Sequence, residues 1–90
     1  MIQIRPDPVF LAALQAINKS NPALGKRIQG AVERFQIAPQ SPGLNFEKLR
    51  GSDCHSIRVT RGVRIILRQD GPDAFVLVNV GSHDIYRRYE

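Results

Sequence analysis

The segment Ser56 to Arg68 constrains this chain most, because it reads as two β-branched, alternating runs around Thr60-Arg61-Gly62. That pattern predicts a β-hairpin with a three-residue loop, closed by Gly62 in the left-handed backbone region that glycine tolerates. In this register Val59 faces Val63, Arg58 faces Arg64 and Ile57 faces Ile65. One face carries His55, Ile57, Val59, Val63, Ile65 and Leu67; the other carries Ser56, Arg58, Arg64, Ile66 and Arg68. A two-residue loop would mix apolar and charged residues on both faces, so the separation selects the register. Arg58 and Arg64 are thereby opposed. Like charges at opposed positions destabilise a sheet by a few tenths to about 1 kcal/mol, and a bound polyanion would explain why they stand there.

The charge is biased in the same direction. Lys48, Arg50, Arg58, Arg61, Arg64 and Arg68 lie within 21 residues that hold the single acid Asp53, and the whole chain carries a formal charge of +5. Ten of the thirteen cationic residues are arginine, whose planar fork matches phosphate and stacks on bases better than an ammonium. A solubilising basic face is the plainer reading. Ninety residues with 42% hydrophobic content suit one domain with one core. No apolar run reaches the length of a signal peptide or a membrane span, so a soluble cytoplasmic protein without a membrane partner is expected. One cysteine, Cys54, excludes an internal disulfide, and two histidines make no cluster of the kind zinc requires. No cofactor or metal is expected.

Two helices precede the hairpin. Asp7-Pro8 pairs an N-cap with proline at the first helical position, and Phe10, Leu14 and Ile17 follow on one stripe before Asn18-Lys19-Ser20. Asn21-Pro22 repeats the signal, with Leu24, Ile28, Ala31, Val32 and Phe35 as the second stripe. The short break predicts an antiparallel helical hairpin. Gly25 and Gly30 each cost roughly 1 kcal/mol of helix propensity relative to alanine, which fits either close contact with the first helix or simple tolerance.

The run Pro39-Gln40-Ser41-Pro42-Gly43 makes a loop. Leu44–Leu49 is expected to pair at the sheet margin, Cys54–Val59 and Val63–Gln69 to form the hairpin, and Ala74–Val80, almost wholly apolar, to be a central strand covered on both faces. Ile2–Arg5 fits a short edge strand. The fold class is α+β, in the order β-α-α-β-β-β, with the helical hairpin packed on a mostly antiparallel curved sheet and the opposite face left bare. On that face the tail Ser82-His83-Asp84-Ile85-Tyr86 brings a histidine and a tyrosine toward the arginines. RNA cleavage by internal attack of a 2′-hydroxyl needs a proton acceptor, a proton donor and fixed positive charge for the phosphorane. Imidazole is the side chain suited to proton transfer near neutrality. His-x-x-Tyr alone is a weak motif.

The pieces Lys48-Leu49-Arg50-Gly51, Arg58, Gly62-Val63-Arg64-Ile65 and Gly81-Ser82-His83 with Tyr86 together resemble the RelE/ParE superfamily of bacterial toxin-antitoxin toxins, most of all the RelE-like ribosome-dependent mRNA interferases. The resemblance spans nearly the whole chain and implies an endoribonuclease that cuts mRNA at the ribosomal A site, inhibits translation, and is neutralised by a cognate antitoxin. It implies that Arg64 stabilises the scissile phosphate and that Arg58 orients RNA or balances transition-state charge. His83 falls where the family has a candidate general acid or base, and Tyr86 where a tyrosine stacks on a base or assists proton transfer. Ser56 stands where some members have a second lysine. The Gly81-to-tyrosine spacing is shorter than in the archetype, which leaves Tyr89 as the alternative tyrosine.

The remaining candidates are RNA contacts: Lys48, Arg50, Ser56, Arg61, Arg68, Arg87 and Arg88, the last two facing either ribosome or antitoxin. His55 reads as a packing histidine on the apolar face, and Cys54 as a small packing residue. Two other functions share the fold. One is a ParE-like inhibitor that poisons DNA gyrase by protein contact; the other is an inactive relative that only binds RNA.

Overall fold

Both helices begin where their cap signals stand. The computed structural model describes residues 1–89, and in it Asp7 Oδ1 accepts from the Val9 amide at 2.8 Å and Asn21 Oδ1 from the Leu24 amide at 3.2 Å. Helix α1 spans Pro8–Ser20 and α2 spans Pro22–Ile37, each with proline in its first turn, where its missing N–H costs nothing. At Gly25 a Cβ would overlap the Asn18 side chain, so the two helices meet there; at Gly30 the space is open and glycine is merely tolerated.

Five strands form one sheet in the order β1-β5-β4-β3-β2: β1 Gln3–Pro6, β2 Glu47–Lys48, β3 Cys54–Thr60, β4 Val63–Gln69 and β5 Ala74–Ser82. Only β1 with β5 is parallel, so the sheet is mostly antiparallel as expected. β4 is the middle strand, and β5 lies beside it, flanked by β1 and β4 and largely buried, as expected for Ala74–Val80. At the margin, Leu44 lies in a 3-10 turn, Pro42–Leu44, and only Glu47 and Lys48 pair with β3. The reason is local: Asn45 has φ 48°, a left-handed residue that interrupts an extended chain.

The hairpin keeps its predicted register in the middle and changes it at the tip. Ile57 pairs with Ile65 and Arg58 with Arg64, but Val63 pairs with Thr60 rather than Val59. Two residues of β3 therefore oppose one of β4, a bulge that lets a two-residue turn coexist with segregated faces. Gly62 is outside the left-handed region, which only Gly51 and Gly71 occupy among the described glycines; Thr60 Oγ1 instead accepts from the Gly62 amide at 3.3 Å. A second shift pairs Ile66 with Asn79 and Leu67 with Leu77, leaving Val78 as the extra residue of β5.

The main core lies between the helices and the sheet, built from Phe10, Ile28, Phe35, Leu44, Ile57, Ile65, Leu67, Phe75, Leu77 and Val80. The opposite face is not bare. Residues His83–Arg88 form a 3-10 helix that returns across it, and Ile85 packs with Leu49 and Ile66 in a second cluster flanked by Cys54, Val78, Tyr86 and Tyr89. Ile66, the one apolar residue on the charged side of the hairpin, is fully buried by this return. Cys54 is a packing residue here, as read from the sequence.

Candidate nucleic-acid interface

The C-terminal 3-10 helix is tied to the tip of the hairpin. The His83 amide donates to the Gly62 carbonyl at 3.0 Å, which fixes the first residue of the helix beside the β3–β4 turn. One turn later Tyr86 reaches down onto the sheet, and its ring lies 4.8 Å from the His83 ring, centroid to centroid. Tyr86 Oη accepts from Arg64 Nε at 3.0 Å and shares a 3.0 Å hydrogen bond with Ser56 Oγ. Four of the sequence candidates thus meet at one end of the sheet: Arg64, Tyr86, His83 and, opposite Arg64 in register, Arg58.

Arg64 is only 8% exposed. Among the described residues no carboxylate neutralises it, and the one ion pair is the exposed Arg5–Asp70 contact at 3.4 Å. Its charge is held instead by carbonyl dipoles, Nη1 donating to Thr60 at 2.7 Å, Arg61 at 3.1 Å and Val63 at 3.2 Å. Charge-assisted hydrogen bonds of this kind are about twice as strong as neutral ones, and they lock the fork in place. Among the described residues Nη2 has no protein acceptor. The group is therefore a fixed cation with one unused edge, while Arg58, Arg61 and His83 lie exposed around it.

Tyr86 rather than Tyr89 belongs to this cluster. Tyr89 Oη instead accepts from Asn79 Nδ2 at 3.1 Å, beneath the same helix. Ser56 is fully buried under the Tyr86 hydroxyl, so it is not an RNA contact as the sequence suggested; it holds the tyrosine. A side chain on the charged face of a hairpin looks solvent-facing from sequence alone, and here the returning helix covers it.

The other basic residues do not join the cluster. Arg68 lies four residues further along β4 than Arg64, about 13 Å away at the rise of an extended strand. Lys48 sits at that same far end, opposite His55, and Arg50 is exposed in the turn between β2 and β3. Arg87 and Arg88 are exposed on the 3-10 helix, and Arg88 borders a cleft of about 330 Å³ with Ala13 and Asp84. His55 packs as expected, stacked on Phe46 with ring centroids 5.0 Å apart and edge-on to Phe75 at 5.9 Å. Burial, and then the charge of Lys48, push its pKa below the ordinary histidine value. What sequence reasoning missed is the set of hairpin-tip carbonyls that hold Arg64, because a bulged turn is needed to aim them and no side chain signals it. No three His, Cys, Asp or Glu side chains among the described residues stand close enough to hold a metal ion. No helix among them is long and apolar enough to cross a membrane.

Neither a family model nor a curated protein sequence matches the chain. Solved structures do match its shape. A YoeB/ParE toxin from Agrobacterium tumefaciens is 13% identical over 91% of this chain and 99% of that one, with a TM-score of 0.76. A metal-bound toxin from Helicobacter pylori is 20% identical over 93% and 97%, also at 0.76. The Escherichia coli DinJ-YafQ toxin-antitoxin complex contains a chain 11% identical over 92% and 93%, again at 0.76. Identities this low speak for shape alone, and the shape is shared over nearly the full length of each chain: this protein has the RelE/ParE-like toxin fold.

Proposed function

We propose that the protein is the toxin of a type II toxin-antitoxin system, an endoribonuclease that cleaves mRNA in the ribosomal A site and thereby arrests translation. The observation that carries this reading is the fixed Arg64 guanidinium beside Tyr86, with exposed Arg58 opposite and the His83 ring against the tyrosine. Phosphodiester cleavage by internal attack forms a bond from the 2′-oxygen to phosphorus and breaks the bond from phosphorus to the 5′-oxygen. The 2′-hydroxyl loses a proton and the departing 5′-oxygen gains one. Arg64 and Arg58 stabilise the added negative charge of the phosphorane, a role in which cations already held in place gain most. His83 serves the proton transfer, since imidazole exchanges protons near neutral pH. Tyr86, with both of its hydroxyl contacts made to protein, positions Arg64 and supports the His83 ring rather than moving a proton itself.

The basic surface favours a polyanionic target, because neutralised phosphates release counterions. A cognate antitoxin follows from the same reading: a fold-mate is solved as a toxin-antitoxin complex, and a charged, active site of this kind calls for a covering partner. The deciding experiment incubates the protein with programmed ribosomes and maps mRNA ends. Cuts within the A-site codon that disappear in Arg58→Ala and His83→Ala support the proposal; both residues are exposed, so folding is retained. Intact mRNA together with gyrase-linked DNA breaks would replace it with ParE-like gyrase poisoning.

A further inference from the structure

Beneath the C-terminal 3-10 helix lies Asn79, a buried polar residue in the otherwise apolar run Ala74–Val80 that the reaction at Arg64 does not use. Strict alternation from Phe75 and Leu77 would send its side chain into the main core, under α1 and α2. The bulge at Val78 reverses this: Leu77 and Val80 face the main core, Val78 packs on the second cluster, and Asn79 is aimed at the C-terminal helix. Both ends of the amide are committed there. Oδ1 accepts from the Val80 amide at 2.8 Å, which sets the orientation of the group, and Nδ2 donates to Tyr89 Oη at 3.1 Å. Because β1 pairs with β5 only as far as Leu77, Asn79 Oδ1 stands in for a strand partner at Val80.

Tyr89 is tied in turn to the reacting groups. A 3-10 helix has about three residues per turn, so His83, Tyr86 and Tyr89 recur at the same angular position, and the Tyr89 amide donates to the Tyr86 carbonyl at 3.0 Å. Each member of this row is anchored: the His83 amide on Gly62, Tyr86 Oη between Ser56 and Arg64, and Tyr89 Oη on Asn79. Runs of this helix beyond about three or four residues are uncommon, because side chains eclipse and hydrogen-bond geometry is poor, so a six-residue one depends on contacts outside itself. We propose that Asn79 is a positioning residue of the Arg64 site: by clasping Tyr89 it holds the end of the row, and so keeps Tyr86 on Arg64 and the His83 ring beside it. Among the described residues Asn79 hydrogen-bonds to neither Arg64 nor His83; it acts through Tyr89. This role rests on the proposed cleavage at Arg64, but the hydrogen bond it governs is read without any cleavage.

The test follows the Arg64 Nε–H resonance of the folded protein by NMR, together with single-turnover mRNA cleavage on programmed ribosomes. Tyr86→Phe marks where that resonance lies when its acceptor is gone. Tyr89→Phe keeps the ring and removes only the clasp, while Asn79→Ala removes the whole amide. Both are expected to shift the Arg64 signal toward its Tyr86→Phe position and to slow cleavage by up to about 10²-fold, the scale of a misplacement by about 1 Å, with ribosome affinity unchanged. Ile28→Val, in the main core, is the control for lost stability alone and is expected to leave both readouts at wild type. If Asn79→Ala does not fold, Tyr89→Phe decides. An Arg64 resonance at its wild-type position in the clasp variants, or one moved equally by Ile28→Val, overturns the proposal and leaves Asn79 as a cap on the β5 edge. Full-rate cleavage despite a shifted resonance overturns it too. A shifted resonance in the clasp variants of a protein whose wild type cuts no mRNA rejects the nuclease and spares the hold of Asn79 on Arg64.

Discussion

Arg64 and Tyr86 are joined by a 3.0 Å hydrogen bond from guanidinium Nε to phenol oxygen, across 22 residues of chain and from the central strand to the returning C-terminal helix. This contact converts a surface arginine into a buried, oriented one, and it makes the integrity of the site depend on the last turn of the protein.

Tyr86→Phe is accordingly expected to harm both stability and activity. The change leaves Arg64 Nε without its acceptor and Ser56 Oγ, which is fully buried, without its partner. An unsatisfied buried group costs about 1–3 kcal/mol, so the urea midpoint falls, and ribosome-dependent cleavage slows because the cation is no longer held. A midpoint equal to wild type would show that the tyrosine does not support Arg64.

Arg58→Ala separates the two quantities in opposite directions. Arg58 is exposed and faces Arg64 directly across the hairpin. Removing one of two opposed like charges stabilises the fold by a few tenths to about 1 kcal/mol, while cleavage falls. Thermal melts and mRNA end-mapping on the same preparation check both signs.

His83→Ala is expected to lower the cleavage rate by about 10²- to 10⁴-fold, the usual contribution of a general acid or base. Its side chain is exposed and its amide bond to Gly62 does not involve the ring, so the stability change stays within about 0.5 kcal/mol. Single-turnover cleavage and a urea melt give the two values.

Stability should fall with acid through His55. Its folded-state pKa lies below the unfolded value of about 6.5, so below that pH the unfolded chain binds a proton that the folded chain refuses. The contribution of the neutral, stacked ring is fully present above about pH 6.5 and is lost progressively as the pH drops toward the folded pKa. Urea unfolding at several pH values checks this slope, and His55→Phe, which keeps the stack on Phe46, is expected to flatten it.

Gly30→Ala is expected to stabilise the protein by about 0.5–1 kcal/mol, because the site is helical, exposed and free of neighbours within 4 Å of an added Cβ. A melting temperature unchanged or lowered by the substitution would contradict this.

Much of this molecule is legible in the chain alone, because the signals are local. Asp7-Pro8 and Asn21-Pro22 mark both helix starts, and they do so with capping hydrogen bonds that involve neighbours two or three residues away. The alternation of Ile57, Val59, Val63 and Ile65 against Arg58 and Arg64 sets the hairpin register, since a one-residue slip would bury arginines under the helices. Tertiary structure alone decided the rest. Whether Ser56 meets solvent or a tyrosine, and whether Arg64 is a surface charge or a clamped one, depends on a six-residue 3-10 helix folding back over a face that its own hydrophobic pattern does not announce. Likewise Lys48 becomes the neighbour of His55, and His55 of Leu67, only when β2, β3 and β4 lie side by side. Periodicity reports which face of an element is apolar; it carries no information about what later returns to cover the other face.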